Sequence, residues 1–347
     1  MQKSLPPRRH LFAPRMNPDP ELSVFMSRII RLVMLAVIFT LFVLPHLETP
    51  RKPESRPATE NEVYMTLLSP PTPHPSQNGR IDFQFEAVRI LAYRLLHKPS
   101  TRDPRRRRFV VLTTEFVPQE QIQILKADGA TIHPVKTIRH PTTGTHGERE
   151  QQQPHNQFNR LQIWSMTQYS KILYLEPDVL LIRPLSELFN TQFSKDMYNT
   201  NYLFATIGDA PPPPKDASSR SLSIVPKADI STNFSSSIFL LRPSIQHALY
   251  VNGIYRDPSN TEYLPNMTEN SLLQYAYRSN GPYPWAPLTT KLVLQKPGME
   301  DITGSDVVEG QFWQDDSDLD WELRRFWYFA WGEMTGYYLN DRLHGTR

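Results

Sequence analysis

The chain has 347 residues and a net charge of +3, from 38 basic and 35 acidic side chains, too balanced to supply the concentrated basic face that nucleic acid requires. It has no cysteine, which excludes disulfides, thiolate nucleophiles, cysteine-ligated zinc and iron–sulfur clusters. An apolar fraction of 39% with 11% aromatics suffices for a core, and 33 prolines, roughly twice ordinary usage, imply loops hung on it.

Residues 32–44 read LVMLAVIFTLFVL, and with Ile29, Ile30 and Leu47 the stretch reaches 19 positions. That is close to the roughly 20 residues that span a bilayer. Ahead of it, Lys3, Arg8, Arg9, Arg15, Arg28 and Arg31 stand against Asp19 and Glu21, a net of +4. The positive-inside rule then keeps 1–28 cytosolic, makes 29–47 a signal-anchor in the lipid bilayer, and sends the rest across. A buried helix of a soluble protein is the other reading of the same run. A cleaved signal peptide is disfavoured, because the leading region is long and VLPHLETP offers no small-residue cleavage site. Residues 48–61 are polar and proline-rich and read as a stem. The sequons Asn233-Phe-Ser235 and Asn266-Met-Thr268 fit export, and a type II protein of the Golgi membrane facing the lumen is expected.

VYMTLL at 63–68 reads as a first strand, closed by Pro70, Pro71, Pro73 and Pro75. From Ile81 to Leu96, apolar residues at 81, 85, 88, 91, 92, 95 and 96 have helical spacing. Arg105–Arg108 reads as a solvated loop, with an anionic partner as the minority reading. FVVLTTEFV at 109–117 is a second strand, Pro118 opens a helix that Gly129 ends, and Thr131–Val135 is a third strand. Strands alternating with helices predict an α/β fold with a parallel sheet and crossover helices. Residues 136–157 form a loop, and a helix is expected from Phe158 to about Gln168. KILYL at 171–175 and VLLIRP at 179–184 are buried strand-like runs. Residues 209–228 are another loop, SIFLLRP at 237–243 a strand, and helices are expected from Ser244 and over 268–278. Leu319–Leu339 is helical and carries eight aromatics between Trp321 and Tyr338, read as packed on the sheet or, alternatively, as a membrane-surface face.

Glu176 and Asp178 break two hydrophobic strands at positions i and i+2. At the carboxyl end of a strand in an open α/β sheet such a pair faces the ligand crevice. Two carboxylates there can hold a hard divalent cation, which takes oxygen ligands and bridges phosphates. An acidic-Pro-Asp sequence is equally at home in an ordinary turn.

Residues Phe158–Phe189, FNRLQIWSMTQYSKILYLEPDVLLIRPLSELF, resemble the signature of glycosyltransferase family 8, which includes glycogenin and fungal N-acetylglucosaminyltransferases. That signature runs approximately F-x-K-L-x-x-W-x-L-T-x-Y-x-K-V-L-Y-L-D-A-D-x-L-V-L-R-P-I-D-E-L-F, and the order of elements extends the resemblance over about 63–340. The resemblance implies a Rossmann-like, GT-A nucleotide-diphospho-sugar transferase domain at 62–340. It implies retaining transfer from a UDP-sugar to a glycan or glycoprotein acceptor, with Mn²⁺ or Mg²⁺. Carried over, Glu176 and Asp178 match the D-x-D metal motif, and Arg160 stands at the lysine near the donor diphosphate. Tyr64 and Thr66 lie by the nucleobase and ribose. Phe234-Ser235-Ser236-Ser237-Ile238-Phe239 matches F-N-S-G-V-F beside the donor sugar, and Glu269-Asn270 matches an Asp-Gln pair facing sugar and acceptor. Val307–Trp313 resembles the late V-x-H-x-K-x-W block, with Glu309 at the metal-ligating His and Gln311 at the diphosphate Lys. Glu176, Ser235, Ser237, Glu309 and Gln311 all depart from the family residue, and Thr232 replaces a common acid. These departures motivate a second class of function, a degenerate transferase fold that binds or scaffolds in the secretory pathway.

Overall fold

The computed structural model describes residues 61–69, 81–138, 156–191, 202–208, 234–257, 268–288, 293–295, 302, 304–310, 312–313 and 319–344. The tail 1–28, the expected anchor 29–47, the stem up to residue 60, both sequon asparagines and Gln311 lie outside these residues. Among the described residues no helix is long and apolar enough to cross a membrane.

The main sheet has seven strands: β1 (Glu62–Leu68), β2 (Arg108–Thr113), β3 (Thr131–Pro134), β4 (Lys171–Leu175), β6 (Phe204–Gly208), β7 (Phe234–Leu241) and β8 (Ala286–Pro287). Their order is β3-β2-β1-β4-β7-β6-β8. A smaller sheet, β5-β10-β9, is formed by Val179–Leu181, Val307–Glu309 and Val293–Gln295. β1 and β4 are buried along their whole length, as expected of parallel strands covered on both faces.

Helix α1 (Phe83–Leu96) starts where Asp82 accepts a hydrogen bond from the Phe85 amide at 3.1 Å. Its Phe85, Val88, Leu91 and Leu95 pack with Tyr64, Leu68, Leu173 and Leu175 of the sheet. Its other side, Ala87, Ile90 and Tyr93, packs against Trp327, Ala330 and Met334 of the C-terminal helix α5 (Trp321–His344). α2 (Gln119–Ala127) is followed by Gly129 at φ 99°, a left-handed turn that glycine adopts without strain. On the opposite sheet face Val63, Met65, Ile172 and Tyr174 meet Phe158 and Trp164, Val251 of α3 (Ile245–Arg256), and Leu272 of α4 (Glu269–Ala276).

Four local expectations change. Arg105–Arg108 is not a solvated loop throughout, because Arg107 is buried between Glu62 and Asp103 and Arg108 opens β2. The α/β class holds, but the sheet is mixed: β3, β2, β1 and β4 run parallel, whereas β7 is antiparallel to both β4 and β6. A fully buried strand shows the same apolar run in either direction, so periodicity carries no sign of orientation. β2 ends at Thr113, because a turn closes with the Val117 amide on the Thr114 carbonyl at 3.2 Å. Residues 156–165 form a 3₁₀ segment rather than an α-helix. The Asn159 side chain accepts from the Ile138 amide at 2.7 Å and donates to Ser69 Oγ at 3.2 Å, pinning the segment beyond the ends of β1 and β3.

Candidate active site

β4 delivers Glu176 at its carboxyl end. The Glu176 amide donates to the Ser237 carbonyl at 2.8 Å, and the Val179 amide closes a turn on the Glu176 carbonyl at 3.2 Å. Glu176-Pro177-Asp178 is therefore a turn and also a presenter of two carboxylates. The Gly310 amide donates to the Asp178 carbonyl at 3.2 Å, which brings Glu309 of β10 to the same place. β7, being antiparallel, contributes its first residues at this end of the sheet.

Arg160 is the hub. The 3₁₀ segment carries it, and Asn159 anchors that segment from the neighbouring position. The guanidinium donates through Nη1 to Glu176 and to the Ser236 carbonyl at 3.1 Å. Through Nη2 it donates to Ser236 Oγ at 2.7 Å and to Glu269. It lies 5.4 Å from the centre of the Tyr174 ring. Burial alone would weaken its hold on the proton, but Glu176 and Tyr174 more than offset that and raise its pKa. Arg160, Glu176, Ser235, Ser236, Ser237, Thr268, Glu269 and Asn270 line one cleft of about 300 Å³.

A β-bulge explains how three consecutive serines reach one cleft, where a regular strand would alternate them between faces. Pairing with β6 jumps from Thr206↔Phe239 to Ile207↔Ser235, so residues 236–238 bulge from the ladder. Thr206 Oγ1 donates to the carbonyls of Ser235 and Ile238 and holds the bulge closed. Re-aiming side chains beside a site is a recurrent use of such bulges. Ser235 Oγ donates to Ser237 Oγ at 2.9 Å, and Ser237 Oγ donates to Glu309 at 2.6 Å.

Behind the cleft stand Asp178 and Glu309. Burial pushes the Asp178 carboxyl well above the usual carboxylate range, and the charges of Glu176 and Glu309 push it further. Burial also raises Glu309, against the hydrogen bond from Ser237. Asp178 Oδ1 and Glu309 Oε2 are buried and have no hydrogen-bond partner among the described residues. Two unsatisfied carboxylate oxygens fit a hard divalent ion, which is often held by one or two carboxylates plus substrate phosphates. The three expected carboxylates lie close enough for Glu176 and Glu309 both to raise Asp178. Among the described residues no group of three His, Cys, Asp or Glu side chains has the spacing of metal ligands, and Glu176 is engaged by Arg160 instead.

Comparison with known proteins gives distant likenesses. No family model matches the chain. Two uncharacterized proteins of Schizosaccharomyces pombe are similar over most of its length. One is 26% identical over 313 residues, 80% of this chain and 79% of that one. The other is 24% identical over 320 residues, 80% of each. Galactinol synthase 5 of Arabidopsis thaliana is 32% identical over 82 residues, 24% of each chain. Among solved structures, the glycosyltransferase GlyE of Streptococcus pneumoniae superposes with a TM-score of 0.47 at 14% identity, over 81% of this chain and 64% of that one. The galactosyltransferase LgtC, in complex with donor and acceptor sugar analogs, superposes at 0.44 and 14% identity, over 78% and 95%.

Two further expected site residues, Tyr64 and Thr66, are not among the side chains that line the cleft that Arg160 organises. Tyr64 of β1 is fully buried, its ring centroid 5.2 Å from that of Phe189 in an edge-to-face contact, and Thr66 is fully buried two residues along the same strand. Gln311 lies outside the described residues. Ser236, Tyr174 and Thr268 were not singled out by sequence. Tyr174 and Ser236 lay within quoted motifs, so proximity to Arg160 and Ser235 was the available signal. Thr268 announces itself as the N-cap of α4: its side chain accepts from the Ser271 amide at 3.1 Å and so fixes the turn that carries Glu269 and Asn270.

Proposed function

We propose that the chain is a membrane-anchored, metal-dependent, retaining glycosyltransferase that moves a sugar from a UDP-sugar to a glycan or glycoprotein acceptor. The observation that carries this reading is the cleft at the carboxyl end of β4, where Arg160, Glu176, the three serines, Glu269 and Asn270 converge and Ser237 donates on to Glu309. The resemblance over Phe158–Phe189 and the short stretch shared with galactinol synthase 5 support the same class. Under this reading Asp178 and Glu309 hold the divalent ion, and that ion supplies Lewis-acid stabilisation of the departing diphosphate. Arg160 adds fixed positive charge at the same group, held in place by Ser236 and Tyr174. Glu269 Oε1 and Asn270 Oδ1, both buried and lacking partners among the described residues, are acceptors for hydroxyls of the transferred sugar. On the same reading, which rests on the charge and hydropathy of residues 1–47, 29–47 is a signal-anchor and the domain faces the Golgi lumen.

The test is calorimetric titration of the protein with UDP-sugars in the presence and absence of Mn²⁺. Metal-dependent binding that Asp178→Ala abolishes is expected. Donor affinity unchanged by Asp178→Ala, or equal without metal, overturns the proposal.

One observation favours a second reading. Arg160 is already engaged by two carboxylates, and Glu309 stands where the family signature has a neutral ligand. On that reading the cleft holds a nucleotide-sugar without turning it over, and the protein acts as a binding or scaffolding component. Single-turnover donor hydrolysis separates the two: an enzyme consumes donor with Mn²⁺, a scaffold binds it and leaves it intact.

A further inference from the structure

We propose that the outward face of α5 pairs with the same face of a second copy of this chain, in antiparallel fashion, to form a two-fold dimer. The helix has 24 residues and two unlike sides. Inward, Leu323, Trp327, Ala330, Met334 and Tyr338 are each at most 3% exposed. Outward, Trp321, Phe329, Leu339 and Leu343 are 60%, 74%, 52% and 71% exposed. Between Arg325 and Arg342 no charged side chain of the helix is fully exposed: Glu333 and Asp341 are half-buried, and Glu333 is held by Lys98. A solvent-facing helical surface is normally laced with charge, and loss of charge is the compositional mark of an interface centre.

The two exposed glycines identify the occupant. A Cβ added at Gly332 or Gly336 would meet nothing within 4 Å, so the fold of one chain has no need of glycine at either position. Each costs a helix interior about 1 kcal/mol relative to alanine. What they provide is a shallow trough, four residues apart, flanked by Phe329 and Leu339. In an antiparallel pair centred between them, Gly332 of one copy faces Gly336 of the other, and each Phe329 packs on the other copy's Leu339. The surface is thus self-complementary, as an isologous contact requires. With aromatic side chains of about 150–250 Å², the exposed apolar stripe amounts to about 600 Å² per chain, at the upper end of what a monomer leaves bare. A helix lying on lipid gains from unbroken apolar surface and basic flanks. Glycines at the centre of the stripe work against that.

Sedimentation equilibrium of the full chain in nonionic detergent tests the proposal. The wild type is expected to be dimeric at micromolar concentration. Phe329→Asp, lost twice per dimer at the centre of the contact, is expected to weaken association on the order of a hundredfold. Gly332→Ala with Gly336→Ala separates folding from pairing. It is expected to hold or raise the melting temperature while weakening the dimer, because alanine favours the helix and fills the trough. Since the chain has no cysteine, Thr335→Cys is expected to give an oxidised dimer through the flank of the crossing, and Glu322→Cys at the helix end is not. A monomeric wild type, whether or not α5 binds vesicles, overturns the proposal. So does a dimer indifferent to both Phe329→Asp and the glycine pair.

Discussion

Replacing Arg160 by methionine removes a cation that bridges two acidic side chains from distant elements, Glu176 and Glu269. Glu269 is 1% exposed, so its carboxylate keeps no access to water when the guanidinium goes. Leaving one partner of a buried pair uncompensated costs about 3–5 kcal/mol. Glu176 is different: its side chain is 29% exposed, and it can turn toward solvent at a smaller cost. Most of the loss in Arg160→Met is therefore assigned to Glu269. Glu269→Gln alone keeps an acceptor for Nη2 and leaves Arg160 paired with Glu176, so about 1–2 kcal/mol is expected. The double variant has neither the buried charge nor its partner. Its loss is expected to fall short of the sum of the single losses by at least about 2 kcal/mol, a coupling that a double-mutant cycle measures. Urea unfolding followed by tryptophan fluorescence reports it, because Trp164 belongs to the same 3₁₀ segment as Arg160 and sits in the core. An Arg160→Met loss below about 1 kcal/mol, or strict additivity, refutes the view that Arg160 neutralises a buried carboxylate.

Three further outcomes are expected. A Cβ at Gly208 would stand 2.8 Å from Cη2 of the buried Trp285 ring, which cannot swing aside, so Gly208→Ala is expected to cost about 1–3 kcal/mol in thermal unfolding, with partial recovery by Trp285→Phe. Burial, and then Arg242, lowers the His247 pKa from 6.5 to about 4. The unfolded chain therefore binds the extra proton between those values, and stability is expected to fall as pH drops through this window, on the order of 3 kcal/mol in all; a His247→Phe variant with the same pH dependence would refute that assignment. Thr268→Ala removes the cap of α4, for about 1 kcal/mol of stability and a measurable loss of donor affinity, while Thr268→Ser retains both. Asn266→Gln removes the same sequon without touching the cap, and an identical effect from it would assign the loss to glycosylation.

The strands and first helices were legible in the sequence because each is a local pattern. β1 and β4 are unbroken apolar runs, α1 has helical spacing behind Asp82, and α2 is bounded by Pro118 and Gly129. The acidic break at Glu176 and Asp178 was legible for the same reason, since two carboxylates between buried strands must surface at a strand end. Arg160, Ser235, Ser237, Glu269 and Glu309 were placed by motif resemblance, and the structure gathers them at one end of the sheet. What the sequence could not decide depends on contacts between distant segments. Arg160 meets Glu269 across 109 positions, and no local periodicity encodes that pairing. The direction of β7 is invisible in a strand apolar on both faces. The bulge that turns Ser236 into the cleft exists only because Thr206 on the adjacent strand ties Ser235 and Ile238 together. The ion pair between Arg160 and Glu176, 16 positions apart, likewise has no local signature. Burial and tertiary pairing, which a sequence does not display, set Glu176 in a salt bridge with Arg160 and left Asp178 Oδ1 and Glu309 Oε2 without hydrogen-bond partners among the described residues.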